Sequence, residues 1–545
     1  MRRRARSIWR HDGGAVAPTV ALSLVGLIAV GGIAFDYAHM AALDTELQQA
    51  ADQAALAAAT QLDGQTGAIA RATAAAQALI KNKTLFAVGT TNRDVGIPVL
   101  TFCKAFDDSV ESTSAACTTT TVDKDAHVVW VAVGGRAAAF ALTPIVGALS
   151  SGTIGAEAVA AMNSAVCKEP PVMMCNPAAN PAQFDANSYI GKGIRLVSSG
   201  SYAPGNFGWL DVGAGTSDLA KLMGYGSPPD RCVDIGNPST ETGNPASVMN
   251  EFNTRFDIYE SGDSINCFSL GLCPPSLNSR KDVVMNHTAP YTKQNCGLVN
   301  GAGSNGWVTS ANPYRPTATP FLADGVTPDP KYVNNYTATV DAMGYPRDKC
   351  HATSLTGSCA ADRVGTGDWD IDTYWRVNHP VGSPSGGDTY PTGLNATIRA
   401  AYPLPVDATR TYPTRYQVYR WEMANAATQL PAAGRPVGAD KDYGQPICKP
   451  PGSAPSTTAA DRRTIPIAVV NCTGLNGKKA VTPIDWVDSF LVQPSRDRDN
   501  GLNGPSKVTY TQLGDVYVEV IGHTGNGTGG STTQFVRHDR PYLIR

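Results

Sequence analysis

The sequence predicts a mixed α/β (α+β) protein in which one long N-terminal helix precedes a loop-rich region held together by disulfides. Three observations carry this prediction. A long uncharged run lies near the N-terminus, a helix-forming run continues directly from it, and the rest of the chain mixes short strand-like and helix-like segments with twelve cysteines. The chain has 545 residues, which is enough for two or three domains.

The charge of the chain is low and almost balanced. Charged residues make up 17% of the sequence and the formal net charge is −2. A nucleic-acid-binding protein would carry a basic face, so we expect no nucleic-acid partner. The basic residues that do cluster lie at the extreme N-terminus, where membrane topology explains them; they are Arg2, Arg3, Arg4, Arg6 and Arg10.

The uncharged run predicts a transmembrane helix. Residues 13–35 contain no charged side chain, and Asp36 ends the run. About 20 apolar residues in a helix cross the hydrocarbon core of a bilayer. Arginines on one flank place residues 1–14 in the cytoplasm and residues 15–35 in the membrane. A cleaved signal peptide is the alternative, but its apolar part is shorter and the helical sequence here continues without a break.

Residues 36–64 predict an amphipathic juxtamembrane helix that continues the membrane helix. The segment is rich in Ala, Leu and Gln, which favour helices. Apolar residues recur every three or four positions and share one face; they are Met40, Leu43, Leu47, Ala51, Ala54 and Ala58. An unbroken helix over residues 15–62 would be about 70 Å long. Two interpretations of this face are equally good. It packs against an assembly partner, or it belongs to a stem that packs against the chain's own globular domain.

Small residues in the membrane run allow close helix approach in lipid. Together with the apolar face, they give the predicted helix-packing positions, which are Ala21, Gly26, Ala29, Gly31, Gly32, Leu43, Leu47 and Ala51.

The cysteines predict disulfides formed in an oxidising compartment. Their number is even, and no pair has the C-x-x-C spacing of a zinc or redox site. Short loops are the least costly to close, which favours the pairs Cys167/Cys175, Cys267/Cys273 and Cys350/Cys359. The wider connectivity stays open; the candidate cysteines are Cys103, Cys117, Cys167, Cys175, Cys267, Cys273, Cys350 and Cys359.

The N-terminal region resembles a known family. Gly14-Ala-Val-Ala17 follows a basic tail, the apolar run ends in Asp36-Tyr37, and residues 48–59 read QQAADQAALAAA. These features resemble the N-terminal region of TadG-like proteins of the bacterial tight-adherence (Flp pilus) system. The resemblance covers about the first 65 residues, and residues 127–177 fit the same family less specifically.

The resemblance implies a single-pass protein of the bacterial inner membrane with a cytoplasmic N-terminus and a periplasmic bulk. It implies a part in assembling or anchoring a Flp-type pilus and its secretion apparatus, through contacts with other Tad/Flp proteins and without catalysis or a cofactor. Prepilin-type processing at Gly14 usually requires Glu five residues on, where this chain has Thr19, so we expect a retained anchor. A processed minor pilin is the alternative.

We predict two regions after the stem: a TadG-like α/β module over residues 65–177, and a loop-rich mixed α/β region over residues 178–545. The amino-acid composition changes near residue 178, where Asn, Asp, Gly, Pro, Ser and Thr become frequent. The predicted helices are 68–82, 137–149, 156–166 and 416–427, and the predicted strands are 95–102, 118–122, 127–133, 467–472, 486–492 and 515–521.

One polar cluster is the candidate for a different function. Asp368, Asp370 and Asp372 alternate, and His379 follows. In a strand the three acids would share a face and could hold a cation or act as acid and base, as in a membrane-tethered enzyme or binding module. We favour the other interpretation, a turn whose carboxylates cap the next helix and pair with Arg376.

The remaining sequence motifs predict no metal, cofactor or catalytic site and no small-molecule ligand. Residues 211–216 lack the serines of the D-x-S-x-S metal loop found in some TadG-like proteins. Residues 496–504 open like a calcium loop, but Leu502 and Val508 replace its glycine and its final acid, so we expect a solvated turn. Zinc, nucleotide and nucleophile-elbow motifs do not occur.

Overall fold

The structure is a computed structural model. It describes residues 16–62, 66–79, 84–88, 95–141, 150–167, 170–178, 180, 183–197, 207–213, 215–229, 231–234, 238–241, 248–260, 265–299, 304–314, 340–352, 363–379, 390–448, 461–499, 504–506, 509–524 and 536–544. Contacts divide the chain into two compact units, Met1–Ser164 with His538–Arg545, and Ala165–Arg537.

The described residues form helices and strands in both units. The helices are α1 (Val16–Ala59), α2 (Ala68–Leu79), α3 (Thr113–Ala116), α4 (Thr216–Gly224), α5 (Val248–Asn253), α6 (Cys267–Leu270), α7 (Ile371–Asn378), α8 (Asn395–Ala401), α9 (Arg415–Ala424) and α10 (Ala426–Gln429). The strands are β1 (Gly96–Phe106), β2 (Cys117–Thr119), β3 (Val128–Ala139), β4 (Ser150–Cys167), β5 (Val172–Cys175), β6 (Gly193–Leu196), β7 (Phe207–Trp209), β8 (Cys232–Asp234), β9 (Val284–Asn286), β10 (Gly306–Val308), β11 (Arg435–Val437), β12 (Asp440–Asp442), β13 (Thr464–Val470), β14 (Pro483–Leu491), β15 (Arg498–Asp499), β16 (Thr509–Thr511), β17 (Val516–His523) and β18 (Val536–Leu543).

The mixed fold and the long N-terminal helix are confirmed. Helix α1 runs without interruption from the predicted membrane segment into the predicted juxtamembrane segment and ends at Ala59. Its second half packs on α2 and β3. The core there combines the alanine-rich helix face with β-branched side chains of the sheet, among them Ala54, Ala58, Val129 and Val131. The first unit is therefore a helical layer on a sheet.

The sheet of the first unit has the strand order β18-β4-β3-β1-β2. The predicted helix over residues 156–166 is wrong, because these residues belong to β4. The predicted helix over 137–149 is wrong at its start, where Ala137–Ala139 ends β3, and residues 142–149 lie outside the described residues. A long antiparallel ladder from Val128↔Ala161 to Ala139↔Ser150 satisfies these backbones, and this pairing overrides the helix propensity of alanine.

The main sheet of the second unit has the order β6-β17-β14-β13-β5-β7. Strands β13, β14 and β17 lie where the sequence predicts strands, and every residue of β13 is buried. Strand β5 pairs with β13 in parallel, although almost 300 residues separate them. Smaller sheets have the order β10-β9-β12-β11 and β15-β16. The predicted helix over 416–427 corresponds to α9 and α10.

The two units meet in sequence within β4. Strand β18, near the other end of the described chain, joins the sheet of the first unit. Composition changes mark where loops begin, and they carry no information on which sheet a late strand joins.

Disulfides join both neighbouring and distant segments of the described chain. The pairs are Cys103–Cys117, Cys175–Cys472, Cys267–Cys273 and Cys296–Cys448. Cys350 is also disulfide-bonded, and Cys359 lies outside the described residues. The pair Cys267/Cys273 forms as its spacing predicts. The predicted pair Cys167/Cys175 is wrong, because the parallel pairing of β5 with β13 brings Cys175 beside Cys472.

Candidate functional site

The first half of α1 is an uncovered apolar surface. Every residue from 16 to 31 is exposed, including Leu22 at 73% and Leu27 at 71%. Helix α1 is long and apolar enough to cross a membrane. The hydroxyls of Thr19 and Ser23 donate to the backbone oxygens of Val16 and Thr19, at 3.0 and 2.8 Å. The helix thus satisfies its own polar groups there, as a segment in lipid must.

Four of the predicted helix-packing positions lie on this uncovered half: Ala21, Gly26, Ala29 and Gly31. At Gly26 and Gly31 an added Cβ atom would meet nothing within 4 Å, so the space beside both glycines is open. These positions can accommodate the close approach of another helix.

The other four predicted positions are buried, and three of them lie in the core of the first unit. Gly32 is buried, and Leu43, Leu47 and Ala51 have no exposed surface. The apolar face of the juxtamembrane segment is therefore covered by α2 and the sheet. Of the two interpretations of this face, the structure shows the stem that lies on its own domain.

A junction of close contacts joins α1 to the rest of the first unit where the uncharged run ends. Asp36 is only 2% exposed, and its Oδ1 accepts the N–H of Ala141 at 2.7 Å. Three residues further on, His39 Nδ1 lies 3.4 Å from the carbonyl oxygen of Ala139. The His39 ring contacts the rings of Phe35 and Phe86, with centroids 4.6 and 5.1 Å apart. The sequence marks Asp36 as the end of the run, but no local signal identifies its partner.

The acids of the predicted polar cluster do not converge on one face. Asp370 caps α7 by accepting the N–H of Thr373 at 3.1 Å. Asp372 Oδ1 accepts the N–H of Tyr390 at 3.0 Å, and Asp368 forms an exposed ion pair with Lys349 at 3.3 Å. The capping arrangement that the sequence favoured is the one observed for Asp370.

His379 lies in a buried network centred on Glu422, which the sequence did not single out. Its Nε2 is 2.8 Å from Glu422 Oε1, and its ring stacks on Trp375 with centroids 4.0 Å apart. The hydroxyl groups of Tyr374 and Tyr345 donate to the same carboxylate at 2.7 and 2.5 Å. The available signal was an acid among the aromatic residues of α9, which include Tyr419 and Trp421.

The charges around Glu422 balance one another. Burial alone would raise the pKa of the Glu422 carboxyl, but the charge of Arg280 and the hydrogen bond from His379 outweigh it and lower the pKa to about 2. Burial lowers the pKa of His379. An ionised carboxylate only accepts hydrogen bonds, so neutral His379 carries its proton on Nε2. With all its acceptor sites engaged, Glu422 serves as a structural anion.

A second buried network joins β17 to α9. Arg415 is fully buried and pairs with Asp348 and with Glu519, whose Oε2 lies 2.8 Å from Arg415 Nη1. Burial would lower the pKa of Arg415, but the two carboxylates raise it. Glu519 also accepts the N–H of Tyr416 at 2.9 Å. In the described part of the chain, no group of three or more His, Cys, Asp or Glu residues could hold a metal ion.

The two segments that resemble metal-binding loops, residues 211–216 and 496–504, have acids that bond to other parts of the protein. Asp211 pairs with Lys478 and accepts the N–H of Gly213 at 2.8 Å. Asp497 Oδ1 accepts the N–H of Leu513 at 2.7 Å. The turn after Arg496 is less solvated than expected, because the side chains of Arg496 and Arg498 are about nine-tenths covered and both pair with Asp282.

Comparison with known proteins gives one finding, and it falls on α1. Searches of curated proteins and of solved structures give no match to this chain. A family model described as putative Flp pilus-assembly TadE/G-like matches residues 14–61. These residues include the exposed apolar half of α1, the Asp36 junction and the stem. The N-terminal segment of this chain is therefore similar to the Flp pilus-assembly TadE/G-like domain, which supports involvement in Flp pilus assembly.

Proposed function

We propose that this chain is a single-pass inner-membrane component of Flp-type pilus assembly that works through protein contacts and not through catalysis. Its N-terminal tail lies in the cytoplasm, the apolar half of α1 lies in the membrane, and the chain after residue 35 lies in the periplasm. One observation carries the proposal: a single helix has an uncovered apolar half and a half folded onto its own domain, within the residues that match the pilus-assembly family.

Charge and disulfides support this orientation. Five arginines precede the apolar half of α1, and loops rich in Arg and Lys stay in the cytoplasm. The disulfides described above belong to both units, and such bonds persist in oxidising compartments such as the bacterial periplasm. Both features favour opposite sides of the membrane for the tail and for the disulfide-bonded part of the chain after residue 35.

Contacts with other assembly proteins would use the lipid-embedded half of α1. The stem cannot offer its apolar face, because the first unit already covers it. The small residues on the exposed half, Gly26 and Gly31 among them, leave room for a partner helix. Van der Waals packing at small residues is a principal source of helix association in lipid.

The N-terminus and location of the purified protein test the anchor. We expect a full-length N-terminal peptide in the membrane fraction, resistant to alkaline extraction, and release into the soluble fraction when residues 1–35 are deleted. A new N-terminus at Ala15 would convert the proposal to a processed minor pilin. Cleavage near residues 35–45 with release of the intact chain would overturn the membrane anchor.

The variant Gly26→Leu tests the helix contact. We expect it to reduce copurification with other Flp pilus-assembly proteins and the number of surface pili, because a leucine blocks close helix approach without disturbing any neighbour in this chain. Val25→Leu is the matched control, since Val25 is already bulky and exposed. Equal copurification and piliation of both variants would contradict a partner helix at this position.

A further inference from the structure

One end of the first unit is built from residues without charge. Between Arg136 and Glu157 the sequence has no charged residue, and this stretch contains the end of β3 and the start of β4. Residues 84–88 (TLFAV) are also uncharged. Backbone hydrogen bonds join this segment to β3, from Ala139 N–H to Phe86 at 3.2 Å and from Val88 N–H to Ala137 at 2.8 Å. We call residues 84–88, 137–141 and 150–156 the collar.

The collar is fixed to α1 at the end of the uncharged run. The bond from Ala141 to Asp36, the approach of His39 to Ala139 and the contact of the His39 and Phe86 rings all lie within four residues of the helix. The burial of α1 begins at Gly32, one turn before Asp36. The collar is thus held beside the helix at this level.

Two acids of α1 border the collar, and both accept backbone N–H groups from it. Asp36 accepts the N–H of Ala141, and Glu46 accepts the N–H of Leu85 at 3.0 Å. Each carboxylate is therefore directed at a backbone donor of the collar. These bonds fix the collar to the helix at two levels.

The position along α1 sets the depth of the collar. Val16 to Asp36 spans about 30 Å of helix, which is the thickness of the hydrocarbon core of a bilayer. Residue 39 follows about 5 Å later, which is within the polar layer of headgroups on that side. At the same level of the helix, Phe35 and Tyr37 are exposed, and tyrosine favours this layer.

The collar exposes apolar side chains on the segment that contains Phe86, whose ring contacts the His39 ring. Leu85 is 67% exposed and Val88 is 50% exposed. Ala139, Ala141 and Gly152 are also exposed. A surface of this kind is costly in water and is suited to the boundary between headgroups and acyl chains.

We propose that the collar rests in the interface of the phospholipid bilayer as a second membrane contact beside the helix. This inference rests on the proposed function, in which α1 crosses the membrane. The contact fixes the orientation of the first unit on the bilayer surface. Because the collar residues carry no charge, the contact requires no anionic headgroup and is insensitive to salt.

Photo-cross-linking in the full-length protein tests this contact. Benzoylphenylalanine is placed at Val88 or at Ala141, and the protein is reconstituted in phosphatidylcholine vesicles. Val122 is the negative control, because it is 47% exposed and precedes Asp123, which accepts N–H bonds from Gly67 and Ile69 beyond the far end of α1. Leu24 is the positive control for the membrane helix.

We expect phospholipid adducts, detected by mass, at Val88, Ala141 and Leu24, and none at Val122. The yields should not change when salt is added. Adducts at Leu24 alone would contradict the contact of the collar with the bilayer, while the membrane anchor would still be supported. The absence of adducts at Leu24 would contradict the membrane anchor itself. As a second measurement, Val88→Asp should lower the adduct yield at Ala141, while Val122→Asp should leave it unchanged; equal yields would contradict the collar.

Discussion

At the scale of single residues, the second unit stabilises buried charge by surrounding it with donors. Glu422 has no exposed surface, and Asn278 Nδ2 donates to it at 2.7 Å in addition to the two tyrosines and His379. Arg280 supplies the opposite charge, 3.5 Å from the carboxylate. An unpaired charge in such a place would cost several kcal/mol. The network therefore fixes how α7, α9 and residues 278–280 pack.

Glu422→Gln tests this network. The amide keeps the shape but leaves Arg280 without its counter-charge and puts an N–H₂ group against donors, so we expect a loss of roughly 3 kcal/mol in the free energy of unfolding. Urea unfolding of the full chain in detergent measures it. The control is Asp368→Asn, since Asp368 is exposed and should change stability little. A loss equal to that of the control would contradict the structural role of Glu422.

The pH dependence of stability has a definite sign at this network. The pKa of Glu422 is lowered to about 2 in the folded chain, so its contribution is complete above its ordinary pKa of 4.5 and is lost as the pH falls toward 2. The pKa of His379 is also lowered, so folding is opposed increasingly as the pH falls below 6.5. We expect the free energy of unfolding to fall between pH 7 and pH 3.

The slope of the free energy of unfolding against pH distinguishes Glu422 from other acids. Glu422→Gln should show a shallower fall between pH 5 and pH 3 than the wild type, whereas Asp368→Asn should follow the wild type. Urea midpoints at a series of pH values provide the comparison. Parallel curves for all three proteins would show that Glu422 titrates alike in the folded and unfolded chain.

Sequence reasoning could place individual residues only where the partner is local. The cap at Asp370 has its partner three residues away, so the turn before α7 could be predicted from the sequence. Glu422 bonds to Asn278 and Asp348 pairs with Arg415, over separations of 144 and 67 residues. Such pairs depend on how strands and helices pack, and no local pattern encodes them.

At the scale of elements, α1 changes its surroundings along its length without changing its conformation. The first half exposes large apolar side chains, and the second half buries alanines such as Ala51, Ala54 and Ala58. Small side chains let α2 and the sheet approach the helix backbone closely. The second half of α1 thus continues its exposed apolar half into the core of the first unit.

Ala54→Leu tests this close packing. Ala54 has no exposed surface, so the larger side chain should strain the core and cost about 1–3 kcal/mol. Ala41→Leu is the matched control, since Ala41 is exposed on the same helix. Thermal unfolding and protease resistance of the first unit in detergent measure the difference. Equal stability of the two variants would contradict the buried stem.

The helix and several strands were predictable because their patterns are strong and local. Helix α1 combines high propensity with a continuous apolar face, and β13 is a run of buried β-branched residues between turn signals. Strand β4 was mistaken for a helix because Ala156–Ala161 is rich in alanine, whose preference for helix yields to cross-strand pairing with Val128–Val133.

At the scale of the whole molecule, disulfides hold together segments that are far apart in sequence. Cys175–Cys472 spans 297 residues and lies where β5 and β13 pair, whereas Cys267–Cys273 closes a loop of six residues. A cross-link that closes a longer loop removes more freedom from the unfolded chain. The long-range bond should therefore contribute more to the stability of the second unit.

Paired serine substitutions test this difference. We expect Cys175→Ser with Cys472→Ser to cost roughly 2–5 kcal/mol and to exceed the loss from Cys267→Ser with Cys273→Ser. Urea unfolding under non-reducing conditions measures both, and reduction of the wild type should destabilise it at least as much as the larger of the two. A greater loss from the short loop would show that local strain, and not chain entropy, dominates.

The pairing of β18 with β4 makes the first unit the last to be completed. About 370 residues separate the end of β4 from the start of β18, and at about 5–20 residues per second their synthesis takes roughly 20–70 seconds. In the proposed topology, the anchored and half-exported chain would present an edge of the sheet without β18 at the membrane during that time. An export chaperone that shields β4, or a short interval between successive chains at one translocation channel, would then decide how much of the protein folds correctly.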